Sequence, residues 1–306
     1  MHDESVARAI LTAREGRGPA WHGASVIPLG DGFASDAWLV TAWDGDRAVL
    51  RIDRGLVSVT YPMEHALMAE LAAVGAAVPH PIVGSWEVPD WTGPAFSLTS
   101  WAAGVPMRPS TERQAAPQLG AFLAALRTVR VPDGFGPLEL APDGGLRGSH
   151  PDLSKGLVAW AGRPLWPLDG SRLTDHPAIG PVPGLPGRMD ARRNEVSEAL
   201  LDGPIVVLHS DLHPMNVLDD EGRLTFIDFG EALFGPLAWD LAAVAFFIDW
   251  SVADTLIGDD QGLAITTARI GLCFGAYRWH LSRQHEFDDD DHDRGYLETC
   301  LDRLGG

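Results

Sequence analysis

The stretch VVLHSDLHPMNVLDDEGRLTFIDFGEA, residues 206–232, decides how the rest of the chain is interpreted. Two apolar, β-branched runs (IVVL and LTFID) predict two short buried strands, and a loop dense in polar side chains separates them. The loop then lies at the end of the first strand, and Asp228 ends the second. We therefore expect His209, Asp211 and Asn216 to lie close to Asp228.

The side chains in this stretch suit a particular chemistry. Two carboxylates and an amide oxygen favour a hard divalent cation such as Mg²⁺, which prefers oxygen ligands. A carboxylate that does not bind the metal can orient or deprotonate a hydroxyl group. Together these groups provide what phosphoryl transfer requires. Zinc fits less well, because His209 and His213 have no cysteine or third histidine near them and their loop contains Pro214.

The order of these residues is similar to a known catalytic segment. H-S-D-L-H-P-M-N-V-L, followed by I-D-F-G-E-A and GPLAWDLA, resembles that of the aminoglycoside phosphotransferase family, relatives of the protein kinases. The resemblance covers residues 209–242. Ser210 stands where the family usually has Gly, and Pro236-Leu237 stands where Asp-Pro is usual. Neither change removes a chemical group that the reaction needs.

The resemblance implies a role for each matching residue. Asp211 would be the catalytic carboxylate, which takes or orients the proton of the acceptor hydroxyl. Asn216 and Asp228 would hold Mg²⁺. His209 and Asp240 would be structural and would support the loop. A kinase-like protein that has lost activity is the alternative, but all three chemically required groups are present.

The resemblance also implies the fold, an α+β, protein-kinase-like arrangement of two lobes. Residues 1–100 would form a small nucleotide-binding lobe, an antiparallel sheet with one crossing helix. Residues 101–306 would form a larger, mainly helical lobe for catalysis and substrate binding. A Pro- and Gly-rich insertion at 131–188 has little periodicity, and we expect short helices near the substrate there.

Local patterns agree with this plan. Residues 26–53 predict three strands, and two further short strands fall within 79–88 and 94–104. Apolar spacing predicts helices over residues 4–15, 60–75, 117–129, 188–201, 238–250, 262–284 and 294–304.

In the first lobe, LGDGFASDAWLV at 29–40 is the candidate phosphate-covering loop. Gly30 and Gly32 would let the backbone approach the phosphates, and Ser35 would offer a hydroxyl. An ordinary β-turn would have the same sequence features.

The strand RAVLRIDR places Val49 and Arg51 on one face, because side chains alternate along a strand. The resemblance implies that Val49 lies against the purine and that Arg51 stands where relatives have a phosphate-binding lysine. The chain's one lysine, Lys155, lies in the insertion. Arginine can substitute, since its planar guanidinium grips phosphate. An exposed strand arginine without this role is the alternative.

Two further features of the nucleotide site follow from the resemblance. Glu64, at the start of the 60–75 helix, would pair with Arg51; Glu70 competes, but it points elsewhere on the helix. PAFSLTSWAAG at 94–104 resembles the hinge, where backbone groups of Ser100 and Ala102 would bond the purine of ATP or GTP.

The charge of the chain bears on its partners. A net charge of −19 disfavours nucleic acid and anionic membranes and is compatible with a cationic small substrate. Asp249 and Asp254, placed at and just beyond the end of the 238–250 helix, are candidates for an acidic substrate pocket, with Trp250 as an apolar wall. The acidic tail at 285–302 could add to the pocket or form a solvated, flexible loop.

We therefore expect a Mg²⁺-dependent enzyme that moves the γ-phosphate of ATP or GTP to a hydroxyl of a small molecule. An aminoglycoside or another antibiotic is the first candidate acceptor, which would make the chain a resistance enzyme. A metabolic kinase for a sugar, amino alcohol or choline-like compound is the rival, and a nucleotide-binding pseudokinase is the non-enzymatic one. A protein kinase is disfavoured, because the segment between Asp228 and Ala238 is too short for a long activation loop.

The sequence also indicates where the protein works. It has no apolar run long enough to span a membrane, no signal-peptide pattern, and only two cysteines. We expect a cytoplasmic protein that is a monomer or a weak dimer.

Overall fold

The structure is a computed structural model that describes residues 4–12, 21, 23–31, 35–56, 60–108, 112–284 and 290–305. The chain divides into two compact units. The first comprises residues 1–104 and 225–230, and the second comprises residues 105–224 and 231–306. The short segment 225–230, which includes Asp228, therefore belongs with the N-terminal residues.

The first unit is built on a five-stranded antiparallel sheet of order β1-β2-β3-β5-β4. Helix α2 follows the third strand, in agreement with the predicted helix at 60–75. The elements are α1 (Glu4–Thr12), β1 (Ser25–Asp31), β2 (Ser35–Thr41), β3 (Arg47–Asp53), α2 (Tyr61–Ala73), β4 (Pro81–Gly84) and β5 (Phe96–Ser100).

Side chains along the central strands β2 and β3 alternate between the buried core on one face of the sheet and the partly exposed opposite face. In β2 and β3, Trp38, Leu50 and Ile52 are buried against apolar side chains of α1. Val49 and Arg51 lie on the opposite face and are partly exposed, as the period-two pattern predicted.

The second unit is mainly helical and contains a sheet of order β8-β7-β12-β9, together with β6, β10 and the first two residues of β11 from a sheet of order β11-β10-β6. Helix α7 is almost entirely buried, which explains why its sequence is apolar on every side. The elements are β6 (Val105–Pro106), α3 (Glu112–Leu126), β7 (Phe135–Leu140), β8 (Leu146–His150), α4 (Leu153–Ala161), α5 (Leu185–Ala191), α6 (Arg193–Asp202), β9 (Ile205–Leu208), β10 (Val217–Asp220), β11 (Arg223–Phe226), β12 (Leu233–Pro236), α7 (Ala238–Phe247), α8 (Trp250–Ile257), α9 (Gln261–Gln284) and α10 (Asp290–Arg303).

Three sequence predictions for this unit need correction, one of which is the helix at 188–201, divided at Arg192 into α5 and α6. The 131–188 segment contains the hairpin β7–β8 as well as short helices. The two strands were not predicted, because glycines interrupt the alternation of apolar and polar residues that marks a strand. The predicted helix at 238–250 ends at Phe247, and a second helix starts at Trp250. Asp249 caps that second helix by accepting the backbone N–H of Ser251, so the chain turns where the apolar pattern seemed continuous.

No helix among the described residues combines the length and apolar character needed to cross a membrane.

The hairpin packs against α4 through glycines, and this contact can be tested. Gly136 and Gly144 both have positive φ, 81° and 85°, so alanine is strained at either position. A Cβ at Gly136 would also lie 2.6 Å from the backbone of Gly156 on α4, whereas a Cβ at Gly144 would meet nothing within 4 Å. We expect Gly136→Ala to lower the free energy of unfolding by about 2 kcal/mol more than Gly144→Ala. Equal losses in urea unfolding would contradict this packing.

Candidate active site

A buried carboxylate organises the loop that follows β9. Asp240, in the first turn of α7, has no exposed surface. It accepts the backbone N–H of His209 at 2.9 Å and that of Ser210 at 2.8 Å. Burial raises the pKa of Asp240 to about 6, although the two N–H groups and His209 act to lower it. Asp240 thus supports the loop through two hydrogen bonds to its backbone, consistent with the structural role that the motif implied.

The residue before Asp211 explains one departure from the family pattern. Ser210 has a φ of 64°, in the left-handed region that favours glycine, the usual residue here. Its hydroxyl donates a hydrogen bond to the carbonyl of Glu231. β9 and β12 are paired through Leu208 and Leu233, which keeps the two segments side by side. The serine is therefore accommodated by a local hydrogen bond.

Asp211 and Asn216 are in direct contact. The side-chain amide of Asn216 donates to Oδ2 of Asp211 at 2.9 Å and to its backbone carbonyl at 3.0 Å. Because the amide nitrogen faces Asp211, the amide oxygen points away from it. That orientation suits a residue predicted to offer an oxygen to a metal.

His213, whose role the sequence left open, shapes the turn that carries Asn216. Its Nδ1 accepts the backbone N–H of Met215 at 3.1 Å, and its ring packs edge-on against Phe247 at 4.6 Å between centroids. Burial lowers the pKa of His213. These contacts make it a cap for the short turn.

Asp211 has a charged neighbour that the sequence did not predict. Nη1 of Arg278, on α9, lies 3.6 Å from Oδ1 of Asp211, and its guanidinium stands 4.6 Å from the centre of the Phe247 ring. The contact joins the loop after β9 to a distant helix, and no motif around Arg278 signals it. The carboxylate therefore lies between an amide and a guanidinium.

In the first unit, Arg51 is held by two carboxylates. It forms the predicted ion pair with Glu64, and its Nη1 lies 3.3 Å from Oδ1 of Asp228. Its guanidinium also stands 4.9 Å from the ring centre of Tyr61. Glu70, the rival partner, is exposed.

The three charges differ in exposure and ionisation. The side chain of Glu64 is 4% exposed, that of Arg51 21% and that of Asp228 54%. Burial by itself lowers the pKa of Arg51, but Glu64 and Asp228 outweigh this and raise it, so the guanidinium stays charged. Burial raises the pKa of Glu64, and Arg51 opposes that effect. Asp228 is the member of the group with solvent access.

The remaining nucleotide-site residues lie along the sheet. Gly30 pairs with Ala37, and Ser35 opens β2 opposite Asp53, whereas Gly32 lies outside the described residues. The N–H of Ser100 donates to the carbonyl of His80 at 2.8 Å. Purine recognition by Ser100 would therefore use its carbonyl oxygen.

Ala102, the second predicted hinge contact, follows the end of β5 and is partly exposed.

The three residues predicted to bind substrate have structural partners in the second unit. Asp249 caps α8, and Asp254 lies within that helix, after the end of α7. Arg303 bonds both carboxylate oxygens of Asp254 at 2.8 Å and lies 4.0 Å from the centre of a Trp250 ring. Only the helix boundary around these residues differs from the prediction, and their role in binding substrate stays a prediction.

The chain is similar to known proteins in sequence and in fold. A model of the phosphotransferase enzyme family (APH) matches residues 25–272. Apo aminoglycoside phosphotransferase APH(4)-Ia, as a thermostable mutant, is 18% identical with a TM-score of 0.67, over 92% of this chain and 96% of that one. No curated protein sequence matched.

Two other solved structures are also similar. An aminoglycoside phosphotransferase in complex with GDP and kanamycin is 16% identical, with a TM-score of 0.61 and 99% of both chains covered. A choline/ethanolamine kinase family protein from Mesorhizobium loti is 18% identical, with a TM-score of 0.59 over 99% of this chain and 95% of that one. These likenesses confirm the predicted α+β, kinase-like fold.

The double hydrogen bond of Asp240 can be tested by a nearly isosteric change. Asp240→Asn keeps one acceptor but turns an amide NH₂ toward a backbone N–H, which leaves a buried donor unsatisfied. We expect the free energy of unfolding to fall by about 2 kcal/mol. Asp259→Asn, at an exposed position, should change it by less than about 0.5 kcal/mol. Similar stability of the two variants in urea unfolding would show that Asp240 does not hold the loop.

Proposed function

Because the chain belongs to the phosphotransferase enzyme family (APH), we propose that it moves the terminal phosphate of ATP or GTP, with Mg²⁺, to a hydroxyl of a small molecule. That it is a kinase for hydroxyl acceptors follows from the family. The nucleotide, the metal and the acceptor are the proposal.

The contact between Asp211 and Asn216 carries this proposal. In direct in-line transfer, the acceptor oxygen bonds to phosphorus while the bond from phosphorus to the leaving diphosphate oxygen breaks. Asp211 would orient the acceptor hydroxyl and receive its proton. Asn216 and Asp228 would hold a Mg²⁺ ion, which neutralises phosphate charge when bound. Their amide and carboxylate oxygens are ligands of the type that Mg²⁺ prefers, and Asp228 is exposed enough to reach one.

The nucleotide would bind to the first unit. Arg51, held by Glu64, would contact the phosphates, and Val49 on the same strand face would lie against the purine. The backbone around Gly30 and Gly32, with the Ser35 hydroxyl, would cover the phosphates. Ser100 and Ala102 would supply the backbone contacts to the purine. Backbone contacts of this kind do not favour ATP over GTP, and we propose that the enzyme works in the cytoplasm, where both nucleotides are available.

Two acceptor classes have support from the neighbours. One structure similar to this chain is a complex with ADP and hygromycin B, and another is a complex with GDP and kanamycin. These favour an aminoglycoside, and with it a role in antibiotic resistance. The choline/ethanolamine kinase family protein favours a metabolic alcohol. The complete set of Asp211, Asn216 and Asp228 argues against a pseudokinase.

The role of Asp211 predicts a separation between binding and turnover. Asp211→Asn keeps the size of the side chain but cannot accept the hydroxyl proton. We expect nucleoside diphosphate release with an acceptor to fall about a thousandfold, with nucleotide binding unchanged. Asp202→Asn, at an exposed helix end, should retain full activity. An Asp211→Asn variant that kept wild-type turnover would rule out this role.

The role of Arg51 predicts a defect on the nucleotide side. Arg51→Ala removes the cation and leaves Glu64 buried without it, so the affinity for the nucleotide should fall about tenfold or more. Arg51→Lys should recover part of this loss, because it restores the charge but not the planar fork. Arg8→Ala, an exposed arginine on α1, is the control. Unchanged nucleotide binding in Arg51→Ala, measured by calorimetry, would place the phosphates elsewhere.

A further inference from the structure

The two carboxylate oxygens of Asp211 have different neighbours. Oδ2 accepts a hydrogen bond from the side-chain amide of Asn216 at 2.9 Å, whereas Oδ1 lies 3.6 Å from Nη1 of Arg278. A separation of 3.6 Å is too long for a hydrogen bond, so Arg278 attracts Oδ1 through charge without using its lone pairs. The arginine therefore leaves Oδ1 able to accept a proton from an incoming hydroxyl.

His213, two residues after Asp211, does not supply this positive charge. Its backbone N–H donates to the carbonyl of Asp211 at 2.8 Å, and its Nδ1 accepts the backbone N–H of Met215 at 3.1 Å. A ring nitrogen that accepts a hydrogen bond carries no proton, so this imidazole is neutral. The guanidinium of Arg278, in contrast, is always charged.

Packing between α7 and α9 fixes the position of Arg278. The buried ring of Phe274 on α9 lies edge-on to Phe246 and Phe247 of α7, at 5.6 Å and 5.9 Å between ring centres. Arg278 follows Phe274 by four residues, so it lies on the same face of α9. Its guanidinium stands 4.6 Å from the centre of the Phe247 ring, a distance at which a cation is attracted to an aromatic face. The end of a long, flexible side chain is thereby held in place.

Resting on the proposed kinase function, we infer that Arg278 is a positioning residue, which holds the carboxylate of Asp211 so that Oδ1 receives the proton of the acceptor hydroxyl. As the acceptor oxygen bonds to phosphorus, the bond from phosphorus to the leaving diphosphate oxygen breaks, and the hydroxyl proton passes to Oδ1. The side chains of Arg278 and Asp211 are 26% and 32% exposed, so an acceptor can reach this oxygen from solvent.

The exposure of the pair also separates its effect on turnover from its effect on folding. Partly exposed ion pairs contribute little to stability, so removal of Arg278 should leave the fold intact. A catalytic group that loses its orientation, in contrast, loses rate even when the substrates still bind.

Substitution of Arg278 tests the inference in the full chain, with Mg²⁺ and ATP or GTP. The acceptors are kanamycin, hygromycin B, choline and ethanolamine, and release of the nucleoside diphosphate is measured. Arg278→Met keeps much of the side-chain length without the charge, and we expect kcat to fall about tenfold to a hundredfold. The KM of the acceptor and the Kd of the nucleotide should stay within about twofold of the wild-type values. Arg278→Lys should recover part of kcat, because it restores the charge but not the planar group that stacks on Phe247.

The control variant is Arg269→Met on the same helix. Arg269 pairs with Glu195 at 3.0 Å and is 31% exposed, so its ion pair resembles that of Arg278 in length and exposure. Because this pair lies away from Asp211 along α9, its loss should leave kcat at the wild-type value.

A free cation gives a readout that a merely structural role would not change. Methylguanidinium added to Arg278→Ala should restore part of kcat by occupying the place of the missing group beside Asp211, and methylammonium should restore less. Neither cation should raise the kcat of Arg269→Ala.

The outcomes separate this inference from the proposed function. Wild-type kcat in Arg278→Met, a rise in the KM of the acceptor without a fall in kcat, or no rescue by methylguanidinium would overturn the positioning role while the kinase function stands. If the wild-type chain phosphorylates none of these acceptors and releases no nucleoside diphosphate, the kinase function is overturned, and the role of Arg278 falls with it.

Discussion

The second unit's candidate site depends on one buried carboxylate that accepts two backbone N–H groups. Asp240 bonds His209 and Ser210, so the backbone immediately before Asp211 is held at α7. A charged acceptor strengthens both bonds, and burial protects them from competition with water. The positive φ of Ser210 turns the chain at this point. The direction of the Asp211 side chain therefore depends on a residue that takes no part in the proposed chemistry.

In the first unit, Arg51 stands at the position where the family resemblance implies a lysine. An arginine is longer and broader, and here two carboxylates hold it. Glu64 is buried and orients the guanidinium, while Asp228 touches it from a more exposed position. The remaining donors of the planar fork suit phosphate oxygens. The substitution thus keeps the charge and gains directional hydrogen bonding.

The charge around Asp211 within the second unit depends on how α9 packs, and the composition of the chain does not predict it. The net charge of −19 suggested affinity for a cation. However, Asp254 is paired with Arg303, and Arg278 lies beside Asp211 and over the ring of Phe247. Net charge sets the long-range field, whereas ligand choice depends on the few charges within contact distance.

The sequence by itself determined the family motif at residues 209–242, the alternation of β3 and the pair of Arg51 with Glu64. Each of these depends on spacing within a short stretch or on a motif that matches residue by residue. Only the tertiary structure decided the β7–β8 hairpin, the break before α8 and the approach of Arg278 to Asp211. The reason is physical. Local periodicity records which face of an element is buried, but a contact between distant segments depends on how whole elements pack, and no short window of sequence contains that information.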